Sequence, residues 1–115
     1  MIEELGERVV TSEEELYSVS YDGLKVKGNP DAWIKIKSPE EVGKCLTIAN
    51  EFCVPVTCRG SGSSLTGGAT PFHGGWVLDL SSLDKIEIDK SNMLARCGPG
   101  AVVNNLQEMA TEVGL

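Results

Sequence analysis

The segment spanning residues 54–80, VPVTCRGSGSSLTGGATPFHGGWVLDL, limits the folds open to this chain more than any other part of it. Two short apolar runs bracket a stretch in which six of the seventeen residues from Arg59 to Gly75 are glycine, interleaved with Ser61, Ser63, Ser64 and Thr66. Such a stretch has too little apolar side chain to bury a core of its own. What it offers is bare backbone N–H groups, small hydroxyls and positive-φ conformations, which a closely approaching anionic ligand requires. Arg59 is the only cation between Lys44 and Lys85 and stands where the loop leaves its strand. The segment reads as a pyrophosphate-binding loop, with Arg59 either offsetting phosphate charge or bracing the loop backbone.

The flanks give the frame. Residues 32–37 read as a strand, and Ser38-Pro39 opens a helix, with Ser38 as cap, Pro39 at the first helical position and Glu41 closing a capping box. Val42, Cys45, Leu46, Ala49 and Phe52 recur on one face of that helix. Residues 54–58 form a second strand, so strand, helix and strand make a βαβ unit with a parallel pair and a right-handed crossover. The loop then leaves the carboxyl end of a parallel strand, where open α/β sheets hold their ligands. Residues 76–80 are a third strand, reached through the loop and not through a helix.

A change of character follows. Residues 85–89 alternate apolar and charged, Lys90-Ser91-Asn92 turns, and residues 93–97 return as an antiparallel partner with one solvated face. After Gly98-Pro99-Gly100, a helix carries Val102, Val103, Leu106, Met109, Ala110 and Val113, with Gly114 as its stop. Ahead of the sheet, the first twenty residues read as a peripheral helical lead-in with a capping signal at Ser12 and Glu15, followed by a polar connection.

Composition excludes several classes of function. The net charge of -7 argues against a nucleic-acid partner, and no basic stripe suits a membrane surface. No apolar run reaches the length of a membrane span, and the opening MIEELGER is acidic where a secretory signal would be basic and then apolar, so a cytoplasmic location is expected. Cys45, Cys53, Cys58 and Cys97 form no C-x-x-C pair, and the lone His73 adds no ligand at metal spacing. No metal site is expected, and the thiols read as packed side chains in a reducing compartment.

Two familiar phosphate loops fail on single positions. Gly62 and Gly67 have the spacing of a P-loop, but Gly68 stands where the gripping lysine belongs. Gly60-Ser61-Gly62 begins a dinucleotide fingerprint, but Leu65 occupies the third glycine position and Pro71 with four glycines prevents a helix from opening. What is left is a loop that holds phosphate with successive amides and no helix dipole.

The runs RGSGSSLTGGATPFHGGWVLDLSSLDKI and CGPGAVVNNLQEMATEVGL resemble the N-terminal half of an FAD-binding domain of the vanillyl-alcohol oxidase or p-cresol methylhydroxylase (PCMH) type. Within that family the chain is most similar to the FAD-linked glycolate oxidase and D-lactate dehydrogenase branch. The resemblance implies an α+β fold: a small parallel βαβ subdomain at about residues 29–80, then a partial second α+β subdomain at 81–115, with 1–28 as the lead-in. It implies that Arg59, Gly60, Ser61, Gly62, Ser63, Ser64, Leu65, Thr66, Gly67 and Gly68 line the FAD pyrophosphate. Some relatives attach flavin covalently through a histidine at the position of Ser63; serine cannot form that bond, so non-covalent FAD is implied, and His73 reads as a solvated turn residue.

The resemblance further implies a flavin-dependent oxidoreductase acting on a 2-hydroxy acid of the glycolate or D-lactate type. The family's second glycine segment and substrate domain have no counterpart within these residues, so no catalytic residue is assigned and the chain reads as truncated and catalytically incomplete alone. Three or four charge-assisted amide bonds give about 5–10 kcal/mol gross, against about 4–15 kcal/mol for association. The loop alone should hold FAD weakly, and the uncovered second half predicts self-association or a complementing chain. Two alternatives stand beside this reading. One is a stand-alone module for a smaller phosphate ligand; the other is a fragment of a UDP-N-acetylenolpyruvoylglucosamine reductase-like flavoprotein, whose loop usually carries an asparagine where Ser64 and Leu65 stand here.

Overall fold

The computed structural model describes residues 9–21, 28–62 and 68–115. Strand β1 (Val9–Val10) and helix α1 (Glu13–Tyr17) lead into β2 (Ala32–Lys35), α2 (Pro39–Glu51), β3 (Val56–Arg59) and β4 (Trp76–Asp79). The hairpin β5 (Ile86–Asp89) and β6 (Leu94–Cys97) and helix α3 (Val103–Glu112) follow. Strands β1 to β4 form one sheet in the order β1-β2-β4-β3, and β5-β6 form a second.

The sheet order corrects the expected βαβ pair. Strands β2 and β3 do not touch: β4 lies between them, parallel to both, with Trp76 level with Ala32 on one side and Val56 on the other. The physical reason lies in side-chain burial. Val77 and Leu78 are both fully buried, one on each face, as a central strand requires. Strand β3, with Pro55 before it and Arg59 at its end, suits an edge. The two-residue β1, placed where only helix was expected, pairs antiparallel with β2 through Val9 opposite Ile34.

Helix α2 begins where Ser38-Pro39 predicted, yet the capping box is displaced. Ser38 makes no side-chain cap bond. The Lys37 backbone N–H, one residue earlier, donates to Glu41 Oε2 at 2.9 Å. At the other end the Val54 N–H reaches back to the Ala49 carbonyl at 2.8 Å, with Cys53 in the left-handed conformation at φ 55°. That is a Schellman closure with cysteine where glycine is usual. Helix α3 ends the same way, with Gly114 at φ 82° and the Leu115 N–H donating to the Ala110 carbonyl at 2.8 Å.

The core gathers Ile34, Ile36, Cys45, Leu78 and Leu80, with Val9, Val42, Val56, Trp76 and Leu83 packed against it. Of the expected apolar face of α2, Cys45 and Ala49 are buried, but Leu46 is 45% exposed and Phe52 68%. Leu46 instead borders an open groove with Ala49, Val54 and Val56 along the β3 side of the helix. The expectation of packed thiols holds for Cys45 alone; Cys53, Cys58 and Cys97 are exposed. Edge position, and not strand alternation, accounts for Cys58: it lies level with buried Leu78, but on the edge strand, where the sheet covers only one flank.

The hairpin pairs Ile86 with Cys97 and Asp89 with Leu94. Its turn is held by Asp89, which accepts from the Asn92 side chain at 2.8 Å and from the Asn92 backbone at 3.2 Å. The Gly98 N–H donates to the Lys85 carbonyl and that of Gly100 to the Leu83 carbonyl, both at 2.9 Å, which draws the 98–100 turn against the segment leaving β4.

Candidate functional site

The described ends of the glycine loop lie at opposite edges of the sheet. Because β3 and β4 are parallel, the chain leaves at the carboxyl end of β3 and must come back to the amino end of β4. Its root, Arg59 to Gly62, lies at the carboxyl edge. Gly74 and Gly75 lie at the amino edge, where the Gly75 N–H donates to Asp31 Oδ2 at 2.8 Å and the Asp31 N–H to the Gly75 carbonyl at 2.7 Å. Ser63, Ser64, Leu65, Thr66 and Gly67 fall outside the described residues.

At the root, both described loop glycines are positions that reject a side chain. Gly62 has φ 75°, and a Cβ there would overlap the Arg59 guanidinium. A Cβ on Gly60 would stand 2.9 Å from the Pro99 carbonyl oxygen. The root is therefore wedged between its own arginine and the Gly98-Pro99-Gly100 turn, with bare backbone where a ligand could approach.

Three charged residues share the carboxyl edge. Asp79 lies in register with Lys35 of β2 and with Arg59 of β3, so the sheet presents cation, anion and cation in one row. Asp79 is committed within the fold: its carboxylate accepts from Trp33 Nε1 at 2.9 Å, Ser81 Oγ at 2.6 Å and the Ser81 N–H at 3.0 Å. The Lys35 ammonium lies 4.8 Å above the Trp33 ring. Arg59 turns away from the row, and its Nη1 donates to the Tyr21 carbonyl at 2.5 Å.

On the return, Ala69, Thr70 and Pro71 are buried. Thr70 Oγ1 is a buried hydroxyl without a hydrogen-bond partner among the described residues, an arrangement that polar groups in folded chains rarely keep without a ligand or water. Neither Thr70 nor the Tyr21 and Pro99 carbonyls were legible as site residues. Thr70 sits in a run read only as helix-breaking, and backbone carbonyls carry no side-chain signal at all.

Glycines without room for a Cβ, a cation at the root and an orphan hydroxyl in the return fit a phosphate-bearing cofactor. No described helix is long and apolar enough to cross a membrane. Residues 30–115 match the family described as FAD binding domain. The chain is 39% identical over 82 residues to a D-lactate dehydrogenase of Archaeoglobus fulgidus, covering 71% of this chain and 18% of that protein. It is 37% identical over 98 residues to the glycolate oxidase subunit GlcD of Bacillus subtilis, covering 84% and 21%. The chain thus spans about a fifth of the length of these curated relatives.

Among solved structures, 6-hydroxy-D-nicotine oxidase of Arthrobacter nicotinovorans aligns with a TM-score of 0.77 and 26% identity, over 96% of this chain and 24% of that one. Alkyldihydroxyacetonephosphate synthase aligns equally well, at 0.77 over 96% of this chain and 25% of that one, but at 20% identity it speaks to the fold alone. With three quarters of its residues inside the family match and a mixed α/β fold around a parallel sheet, this chain belongs to the FAD-binding domain family, PCMH type, of FAD-linked oxidoreductases.

Proposed function

We propose that residues 59–68 hold the pyrophosphate of a non-covalently bound FAD, as part of a flavoprotein that oxidises a 2-hydroxy acid of the glycolate or D-lactate class. The carrying observation is the loop root at the carboxyl edge of the parallel strands, with Gly60 and Gly62 closed to side chains. Amides at such a point can donate to phosphate oxygens, and the missing side chains let the phosphate approach the backbone closely. Ser63, in place of an attaching histidine, supports non-covalent binding. The similarity to a D-lactate dehydrogenase and a glycolate oxidase subunit supports the substrate class.

Bound flavin supplies the two-electron acceptor. This chain's own residues bind and orient its phosphate end, while residues that would engage the hydroxy acid are sought in parts of the relatives this chain does not span. In this reading residues 29–80 are one subdomain, residues 81–115 begin a second, and the chain alone is catalytically incomplete. Four cysteines outside any disulfide support a cytoplasmic setting. The exposed Val102, Val103 and Met109 support self-association or a complementing chain over α3.

The test uses the full-length protein. Purified material is expected to show flavin absorbance, acid precipitation is expected to release the flavin into the supernatant, and anaerobic D-lactate or glycolate is expected to bleach it. Flavin remaining with the pellet would overturn the non-covalent reading. A flavin-free protein with no affinity for added FAD would overturn the cofactor reading itself.

A further inference from the structure

Arg59 is the one cation of the loop, and simple electrostatics would send it to the phosphates. Its geometry does something else. The guanidinium, half-buried, donates from Nη1 to the Tyr21 carbonyl at 2.5 Å and lies across the face of Gly62 where a Cβ would stand. It also stays out of an ion pair with Asp79, its register neighbour, whose carboxylate is taken by Trp33 and Ser81. We propose that Arg59 is a positioning residue. It fixes the Gly60–Gly62 backbone by clamping it to the carbonyl of Tyr21, and so sets the direction of the amides that meet the cofactor.

This deepens the reading of residues 59–68 as a pyrophosphate loop and rests on it. The clamp needs arginine chemistry. A planar guanidinium can lie flat against a glycine Cα and still direct a donor at fixed angle to a carbonyl, whereas an ammonium is a flexible, strongly hydrated point charge. It also accounts for glycine at position 62 twice over: by φ 75° and by the guanidinium filling the side-chain space. Tyr21 precedes the family-matched residues 30–115, so the clamp ties the cofactor loop to a segment outside that match. Tyr21 is itself anchored by an edge-to-face contact with Tyr17, ring centres 5.7 Å apart, so the tether ends on α1 and not on a loose strand of chain.

The experiment separates a clamp from a counter-charge. In the full-length protein, FAD dissociation constants are measured for wild type, Arg59→Lys, Arg59→Met, Gly62→Ala and the Arg59→Met/Gly62→Ala double variant. A clamp predicts that Arg59→Lys loses about as much affinity as Arg59→Met, on the order of tenfold, despite keeping the charge. It also predicts that the two sites are coupled, so that Gly62→Ala weakens binding by at least about threefold less in the Arg59→Met background than in wild type. Near-wild-type affinity of Arg59→Lys would overturn the clamp in favour of charge compensation, and so would strict additivity of the double variant.

A second readout needs no cofactor. Hydrogen exchange on flavin-free protein should quicken at the amides of residues 60–62 and 19–21 in Arg59→Lys, with β2, β3 and β4 as protected as in wild type. Unchanged exchange at residues 60–62 would overturn the clamp. Failure of the wild type to bind FAD, with the exchange effect intact, would overturn the cofactor reading and leave the clamp standing.

Discussion

Single residues in this chain are fixed by space more than by charge. Gly75 shows this best: it sits at φ 78°, and a Cβ there would run into the backbone of Pro55. The Pro55 carbonyl cannot yield, because it also accepts from the Trp76 N–H at 2.9 Å at the start of β4. Gly75→Ala is therefore expected to destabilise the chain by about 2–4 kcal/mol, the sum of left-handed strain and a backbone clash. Urea unfolding would read it as a lowered midpoint at unchanged slope; a change under about 0.5 kcal/mol would mean the overlap is relieved cheaply. Cys53 makes the opposite case. It occupies a left-handed helix-capping position at φ 55° and is exposed. Cys53→Gly is expected to stabilise by about 0.5–1 kcal/mol, since the Cβ strain exceeds the entropy lost to a freer unfolded chain. A drop in melting temperature for this variant would show that the thiol makes contacts worth more than the strain.

Elements follow local signals until a neighbour intervenes. Helix α2 starts at Ser38-Pro39 as its residues demand, with Glu40 and Glu41 in the first turn favouring the positive end of the dipole. The hairpin likewise forms from its own alternation and turn, and its turn carries a pH response. The Asn92 side-chain hydrogen bond first, and its backbone bond second, hold the Asp89 carboxyl below its ordinary value. A carboxyl lowered on folding adds stability at pH above its unfolded pKa, and that stability is lost as pH falls through the folded value. The β5-β6 turn is thus expected to loosen below about pH 4, read as faster exchange or shifted amide signals at residues 90–93. Asn92→Ala should return the Asp89 titration toward the ordinary aspartate value; an unchanged midpoint would remove Asn92 as the cause.

At the scale of the molecule, the chain is extended and leaves apolar surface open. Its radius of gyration is 15.8 Å, where about 13 Å is expected for a compact domain of this length. Met93 is 75% exposed, Val103 67% and Leu94 62%, and the groove beside Leu46 and Val56 opens near the β3 edge. Sedimentation of the 115-residue chain is expected to show association that grows with concentration. It should also grow with added salt, because salt screens the repulsion of a -7 net charge. A monomer at every concentration and salt would sink the self-association proposal. Thiol labelling of the native chain should modify Cys53, Cys58 and Cys97 promptly and Cys45 only on unfolding; fast labelling of Cys45 would place it outside the core.

The sequence by itself determined the kinds of element and the character of the loop. Helix starts, glycine stops, strand alternation and the glycine-serine run are local, set by backbone sterics and by side chains a few residues apart, and so they can be read in order along the chain. Ser38-Pro39, Gly114 and the residues flanking Gly60 and Gly62 were legible in that way. The tertiary structure alone decided that β4 slides between β2 and β3, that two valines become a fourth strand, and that Leu46, Phe52 and three thiols face outward. It alone turned Arg59 toward the Tyr21 carbonyl and left the Thr70 hydroxyl buried without a partner among the described residues. Each of these depends on which surfaces meet across dozens of residues, and a contact between a guanidinium and a distant backbone carbonyl leaves no mark on the composition or periodicity of either segment.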